Sequence, residues 1–66
     1  MKWNELIRLA QDNGWYLQKH GKKHDVYIHA ESRERIIIGR HGSDEVPIGT
    51  CVKILKQMGL YGDMTN

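Results

Sequence analysis

One histidine of this chain stands where its side chain could transfer a proton beside a phosphate group. His24 follows a glycine and two lysines, in the stretch Gly21-Lys22-Lys23-His24, and an alternating, strand-like run begins after it. Imidazole gives or takes a proton near neutral pH, and two ammonium groups attract anions. A proton-transfer group beside a phosphate-attracting surface is the minimum needed to cleave RNA without a metal. The alternative for His24 is an exposed loop histidine that has no chemical role.

The charge of the chain is concentrated in its middle. Residues 19–40 carry six lysines and arginines against three acidic residues, a net charge of +3, whereas the whole chain has a net charge of +2. All four histidines lie in this segment or next to it. A basic central patch between near-neutral ends predicts a polyanionic partner. The alternative is an ordinary solvated sheet surface, and charge alone does not decide between the two.

The spacing of two histidines raises the question of a metal site. His20 and His24 are four residues apart, as zinc ligands on a helix can be, but here they flank a glycine loop. The single cysteine, Cys51, falls in an apolar helical pattern, and no second cysteine or acidic cluster completes a set of ligands. We therefore predict neither a metal nor a cofactor.

Cysteine content and hydropathy predict the compartment. One cysteine cannot form an internal disulfide, which favours a reducing environment. The first residues lack an apolar signal core. The longest aliphatic run is Ile36-Ile37-Ile38, far shorter than the ~20 residues that a membrane span needs. These observations predict a cytoplasmic protein that does not contact a membrane.

Two segments have the apolar spacing of helices, and three have the composition of strands. The first helix ends at Asn13-Gly14 and the second at Gly59, where glycine suits the left-handed position after a helix. The strands are predicted at 15–19, 25–29 and 35–39, joined by short polar loops. The apolar helix positions are Trp3, Leu6, Ile7 and Ala10, then Cys51, Val52, Leu55 and Met58.

The order of these elements predicts an α+β fold. A three-stranded antiparallel sheet must cover one face to be stable, and two amphipathic helices supply that cover. We expect one domain over 1–66, with a frayed tail at 61–66. By strand alternation, Tyr27 and His29 point away from Val26 and Ile28, onto the open face. There Tyr27 would stack on a base or pack against a protein partner.

At this point the chain resembles the HicA toxins of bacterial and archaeal HicAB toxin–antitoxin modules, from about Lys2 to Leu60. The order and spacing of several segments carry the resemblance, together with the chain length. These segments are the first helix, Gly14-Trp15, the glycine-led loop that ends in His24, the pair Arg40-His41, Val46-Pro47-Ile48-Gly49-Thr50, and Lys53-Ile54-Leu55-Lys56-Gln57-Met58-Gly59-Leu60.

The resemblance implies a fold, an activity and a partner. The implied fold is that of a double-stranded-RNA-binding domain, α-β-β-β-α, in agreement with the elements above. The implied activity is a ribosome-independent mRNA endoribonuclease with His24 as the catalytic residue. The implied partner is a HicB antitoxin that masks this surface and contacts operator DNA, so that the toxin meets DNA only indirectly. The RNA-binding or phosphate-binding residues would be Gly21, Lys22, Lys23, Arg40, His41 and Tyr27.

Three questions stay open from the sequence: the role of Lys22, the role of His41 and the class of the protein. Many members of the family have a serine after the glycine, and here Lys22 takes that place, so that charge replaces a hydroxyl near the phosphate. His41 would either contact a phosphate or cap the sheet. A non-catalytic RNA-binding module, which recognises A-form RNA by its shape and phosphates, is the alternative to an enzyme. A pure interaction protein is a third class.

Overall fold

The structure, a computed structural model, describes residues 1–62 of the chain. It confirms the predicted order of elements, α-β-β-β-α, in an α+β fold with a three-stranded antiparallel sheet. The strands lie within one residue of their predicted bounds. The elements are α1 (Trp3–Asp12), β1 (Trp15–His20), β2 (His24–His29), β3 (Arg35–Gly39) and α2 (Ile48–Gln57).

The sheet is a meander with β2 at its centre. β1 pairs antiparallel with β2, with an irregularity between Leu17 and Lys19, and β2 pairs antiparallel with β3. Both connections are short, which suits antiparallel neighbours. The first connection carries the two lysines of the predicted site, and His24 is the first residue of β2.

Both helices pack against the same face of the sheet. The hydrophobic core contains Leu6 and Ala10 of α1, which are completely buried, and side chains from all three strands and from α2. Trp3 and Trp15 also belong to this core. The further core members from β3, α2 and the residue that follows α2 are Ile36, Ile38, Ile54, Leu55 and Met58.

In α2 one predicted core residue was wrong. Val52 is only half-buried, and the core position belongs to Ile54, which is 4% exposed. Both valine and isoleucine fit an apolar stripe at helical spacing, so the stripe alone does not fix which edge of it faces the sheet.

The predicted exposure of Tyr27 in β2 was also wrong, although Ile28 is buried as expected. Tyr27 is 5% exposed and belongs to the core, whereas Ile37, which neighbours Val26 across the sheet, is 63% exposed. Tyr27 pairs with Ile36, and directly paired residues of antiparallel strands share a face. Because Ile36 faces the helices, Tyr27 must face them too. A base cannot stack on a ring so deeply covered, so Tyr27 is not an RNA contact.

The end of α2 confirms its predicted cap. Gly59 has a φ of 73°, and its N–H donates to the carbonyl of Lys56 at 3.0 Å, while the N–H of Leu60 donates to the carbonyl of Leu55 at 2.9 Å. This is the paired hydrogen bonding expected where a glycine ends a helix. The predicted fraying does not hold for Tyr61, which packs against the core and lies under the ammonium of Lys56. Residues 63–66 of the predicted tail lie outside the described residues.

Candidate active site

The loop before His24 is built around a close approach of the backbone. The N–H of Gly21 donates to the carbonyl oxygen of His24 at 3.0 Å. A Cβ atom at position 21 would lie 2.4 Å from that same oxygen, so any other residue would force the loop open. Gly21 therefore closes the turn that holds Lys22 and Lys23 beside His24, and all three of these side chains are exposed.

Two imidazole rings approach each other at the end of β3. Gly39 pairs with His24 across the sheet. A Cβ atom at position 39 would lie 2.7 Å from Nε2 of His41 and 3.7 Å from Cδ2 of His24. Because Gly39 has no side chain, the ring of His41 has room to lie over the strand, next to the ring of His24.

The loop that carries His41 is fixed by the start of α1. The backbone N–H groups of Trp3 and Asn4 donate to the carbonyls of Asp44 and Gly42, at 3.1 and 3.0 Å. These are N–H groups that a helix cannot satisfy internally. The ring of Trp3 also contacts the ring of His41, with 5.1 Å between their centroids. The first turn of α1 therefore positions His41.

An ion pair below the loop links β2 to the residue that follows β3. The guanidinium of Arg40 donates to Oδ1 of Asp25 at 2.5 Å and to the backbone carbonyl of Lys22. The carboxylate of Asp25 also lies 3.0 Å from Nδ1 of His20. Asp25 is 7% exposed, and a buried carboxylate needs such partners. Arg40 thus fastens the lysine loop to the sheet.

Burial of Tyr27 has an electrostatic effect next to this ion pair. Desolvation of the phenol raises the pKa of Tyr27 above its usual value near 10, and the negative charge of Asp25 raises it further. The phenol is therefore neutral at physiological pH, and it acts as part of the core beneath the site.

Five of the predicted site residues meet on one surface. They line a shallow, open depression of about 300 Å³, which we call the basic depression. Gly21 closes the loop at its side, and Tyr27 lies in the core. The residues that line the basic depression are Lys22, Lys23, His24, Arg40 and His41.

The residues that position the basic depression were not predicted from the sequence. Asp25 appeared only as a charge of the central segment, although a carboxylate among the apolar residues of a strand indicates a buried ion pair.

The sequence prediction also treated His29 as a surface residue. Its Nδ1 accepts hydrogen bonds from the N–H groups of Glu31 and Ser32 at 3.1 and 3.2 Å, and its Nε2 lies 3.0 Å from the carbonyl of Asn13. His29 therefore joins two turns at the end of the sheet away from the basic depression.

The described residues contain neither a cluster of metal ligands nor a membrane-spanning helix. Within residues 1–62, no group of three or more histidine, cysteine, aspartate or glutamate side chains is placed to hold a metal ion. No helix among the same residues is both long enough and apolar enough to cross a bilayer.

The fold and the depression define a class of small α+β proteins that present histidines and cations together on one exposed surface. A family model described as "HicA toxin of bacterial toxin-antitoxin" matches residues 3–60, and the chain belongs to this family. It is therefore the toxin of a toxin–antitoxin module, with an antitoxin as its partner. Comparison with curated proteins gave no match, and comparison with solved structures gave none either.

Proposed function

We propose that this HicA family toxin is a ribosome-independent mRNA endoribonuclease that needs no metal and uses His24 as a general acid or base. The observation that carries the proposal is the exposed imidazole of His24 inside the basic depression, with Lys22 and Lys23 on the loop beside it. Cations at this position attract an RNA phosphate, and the imidazole supplies the proton transfer.

The proposed reaction is an internal transfer within the RNA. His24 takes the proton from a ribose 2′-hydroxyl, or it gives a proton to the 5′-oxygen that leaves. Lys22 and Lys23 offset the negative charge that builds on the phosphate. Arg40 and His41 contact the phosphate from the other side of the basic depression, and Gly21 keeps the loop closed around it. The products are a 2′,3′-cyclic phosphate and a 5′-hydroxyl.

The proposed regulation is occlusion by the antitoxin. A HicB-type antitoxin would cover the surface around His24, and the net positive charge of residues 19–40 favours a neutral or acidic surface on that partner. The antitoxin would also bind the operator, so that this chain meets DNA only through its partner. The proposed site of action is the cytoplasm, where the mRNA substrate is found.

The first test is cleavage of a synthetic RNA by the purified chain, in the presence of a chelator, with the ends of the fragments identified. We expect cyclic phosphate and 5′-hydroxyl ends, and we expect His24→Ala to lower the rate by about 10²–10⁴-fold, the usual contribution of positioned proton transfer. The matched control is Lys53→Gln, which changes an exposed residue of α2 outside the basic depression and keeps activity within about twofold.

Other outcomes would redirect the proposal. Fragments with 3′-hydroxyl and 5′-phosphate ends, lost with the chelator, would indicate water activated by a metal. Salt-dependent RNA binding by both the wild type and His24→Ala, with the RNA intact, would identify a non-catalytic RNA-binding module. Induced expression gives the same comparison in cells, since only the wild type should arrest growth and degrade mRNA.

A further inference from the structure

The basic depression holds a second imidazole, that of His41, beside the imidazole of His24. In-line cleavage of RNA needs one group to remove the 2′-proton and one to protonate the leaving 5′-oxygen. A single histidine can perform both steps only in turn. His41 lines the same depression as His24 and lies in the loop after β3, two residues beyond Gly39, which pairs with His24.

The two rings are close enough to act on one phosphoryl group. The position that a Cβ atom of Gly39 would take is a common reference point for the two rings. The distances from that point to Nε2 of His41 and Cδ2 of His24 are 2.7 and 3.7 Å, so these two atoms are separated by no more than their sum, about 6.4 Å. Hydrogen bonds of ~2.6–3.2 Å from each ring span a gap of this size.

Neighbouring residues hold His41 in place, although its side chain is exposed. Its ring rests on Trp3, and its backbone carbonyl accepts a hydrogen bond from the N–H of Asp44 at 3.0 Å. The loop is in turn bound to the first turn of α1. A catalytic group must be held in this way by neighbours whose own positions are fixed.

The charged groups around the pair differ on its two sides. Lys22, Lys23 and Arg40 line the basic depression with both rings. His41 also lines a second depression on its far side, together with Trp3, Asp44 and Glu45. The carboxylate of Glu45 is paired with the N-terminal ammonium of Met1 at 3.0 Å. His41 therefore has both cations and carboxylates in its surroundings, whereas His24 lines only the basic depression.

We propose that His41 is the second acid–base residue of the cleavage reaction and that it works as a pair with His24. The proposal rests on the proposed function. One neutral imidazole takes the proton of the 2′-hydroxyl while the 2′-oxygen forms a bond to phosphorus. The bond between phosphorus and the 5′-oxygen breaks, and the other imidazole, which is protonated, gives its proton to that oxygen. One proton passes from the 2′-oxygen to the 5′-oxygen, and the two rings exchange protonation states.

The first experiment compares His41→Gln with the wild type on the same RNA, with binding measured separately from cleavage. We expect the cleavage rate of bound RNA to fall by about 10²–10⁴-fold, a much larger loss than the loss of one phosphate contact causes in RNA binding. We also expect the bell-shaped dependence of the rate on pH to lose one limb. His41→Phe serves as a second variant, because a ring at this position keeps the contact with Trp3 if glutamine disturbs the fold.

The second experiment uses an RNA in which sulfur replaces the 5′-oxygen at the cleavage site. A thiolate leaves without protonation, so this substrate no longer needs the general acid. We expect it to restore cleavage to one of the two variants, His24→Ala or His41→Gln, and not to the other. The variant that is restored has lost the acid, and the other has lost the base.

Three outcomes would overturn the assignment. If His41→Gln and His41→Phe cleave normal RNA at the wild-type rate while His24→Ala does not, His41 has no catalytic role and the proposed function stands. If the sulfur substrate restores neither variant, or the loss in the His41 variants lies in RNA binding, His41 is a binding residue only. If the wild-type chain leaves RNA intact, the proposed function fails and the pair with it.

Discussion

At the scale of single residues, two glycines determine the geometry around His24. Gly21 allows the carbonyl of His24 to approach the turn, and Gly39 leaves room for the ring of His41. Neither glycine supplies a chemical group. Each is needed because a Cβ atom at its position would clash with a neighbouring residue. The sequence prediction placed Gly21 among the phosphate-binding residues and passed over Gly39, because the steric role of a glycine is not visible before the structure is known.

Replacement of Gly21 tests this steric role. In Gly21→Ala the new methyl group would meet the carbonyl oxygen of His24, and we expect a loss of about 1–3 kcal/mol in the free energy of unfolding, together with slower cleavage. Gly49→Ala is the matched control, because a Cβ atom there has no neighbour within 4 Å and alanine favours the helix. Denaturant unfolding measures both. Equal stability of Gly21→Ala and the wild type would show that the loop relaxes freely.

Sequence reasoning could place most of the site but could not orient Tyr27. The lysines, His24, Arg40 and His41 were expected at one surface, and they line one depression. For Tyr27 the alternation of β2 gave two faces, with apolar residues on both, and did not say which one met the helices. The pairing of Asp25 and Tyr27 with the buried isoleucines of β3 decides this, and pairing is a long-range property that local sequence does not contain.

At the scale of elements, the helices and strands were predictable because local signals agreed with one another. Glycines end both helices, and polar loops separate three β-rich runs. The ways in which the elements are fastened together were not predictable. Asp25 of β2 binds Arg40 beyond β3, and the first turn of α1 binds the loop at 42–44. Each of these contacts joins positions whose proximity appears only once the sheet has formed.

The pair formed by Asp25 and Arg40 gives a prediction about how β2, β3 and the lysine loop cooperate. Asp25→Asn removes the charge that holds the guanidinium, and we expect it to cost about 1–3 kcal/mol of the free energy of unfolding. The double variant with Arg40→Gln should cost less than the sum of the two single variants, because the second change removes a partner already lost. Chemical denaturation of the four proteins measures this coupling.

Glu34→Gln is the control for that experiment. Glu34 is an exposed acid of the β2–β3 turn, and we expect its replacement to change the stability by less than about 0.5 kcal/mol. Strict additivity of Asp25→Asn and Arg40→Gln would contradict a direct interaction between the two side chains. It would also remove the argument that Arg40 holds the loop beside His24.

At the scale of the whole molecule, the sheet has one face under the helices and one face that they leave open. Ile37 and Tyr16 lie on the open face, 63% and 45% exposed. Large apolar side chains on a surface often indicate a place where a partner binds. The proposed antitoxin, which would cover His24 at the end of the same sheet, would also cover this face.

Matched substitutions on the two sides of the molecule test where the antitoxin binds. We expect Ile37→Lys to change the free energy of unfolding of the toxin alone by less than about 0.5 kcal/mol and to weaken binding of the antitoxin at least tenfold, about 1.4 kcal/mol. Ile48→Lys makes the same change at α2, where the isoleucine is 84% exposed, and should leave binding unaltered. Titration calorimetry measures both. The reverse result would place the antitoxin on the helices and exclude occlusion of His24.

The contact between the start of α1 and the loop after β3 also has a kinetic consequence. The two hairpins of the sheet join residues that are near in sequence, whereas the bridge from Lys2 to Glu45 must close a loop of more than forty residues. Contacts of high sequence separation are slow to form, because chain entropy is lost before they stabilise anything. We therefore expect His41 to reach its position only in the last stage of folding, so that a newly made toxin chain acquires its complete site after its sheet has formed.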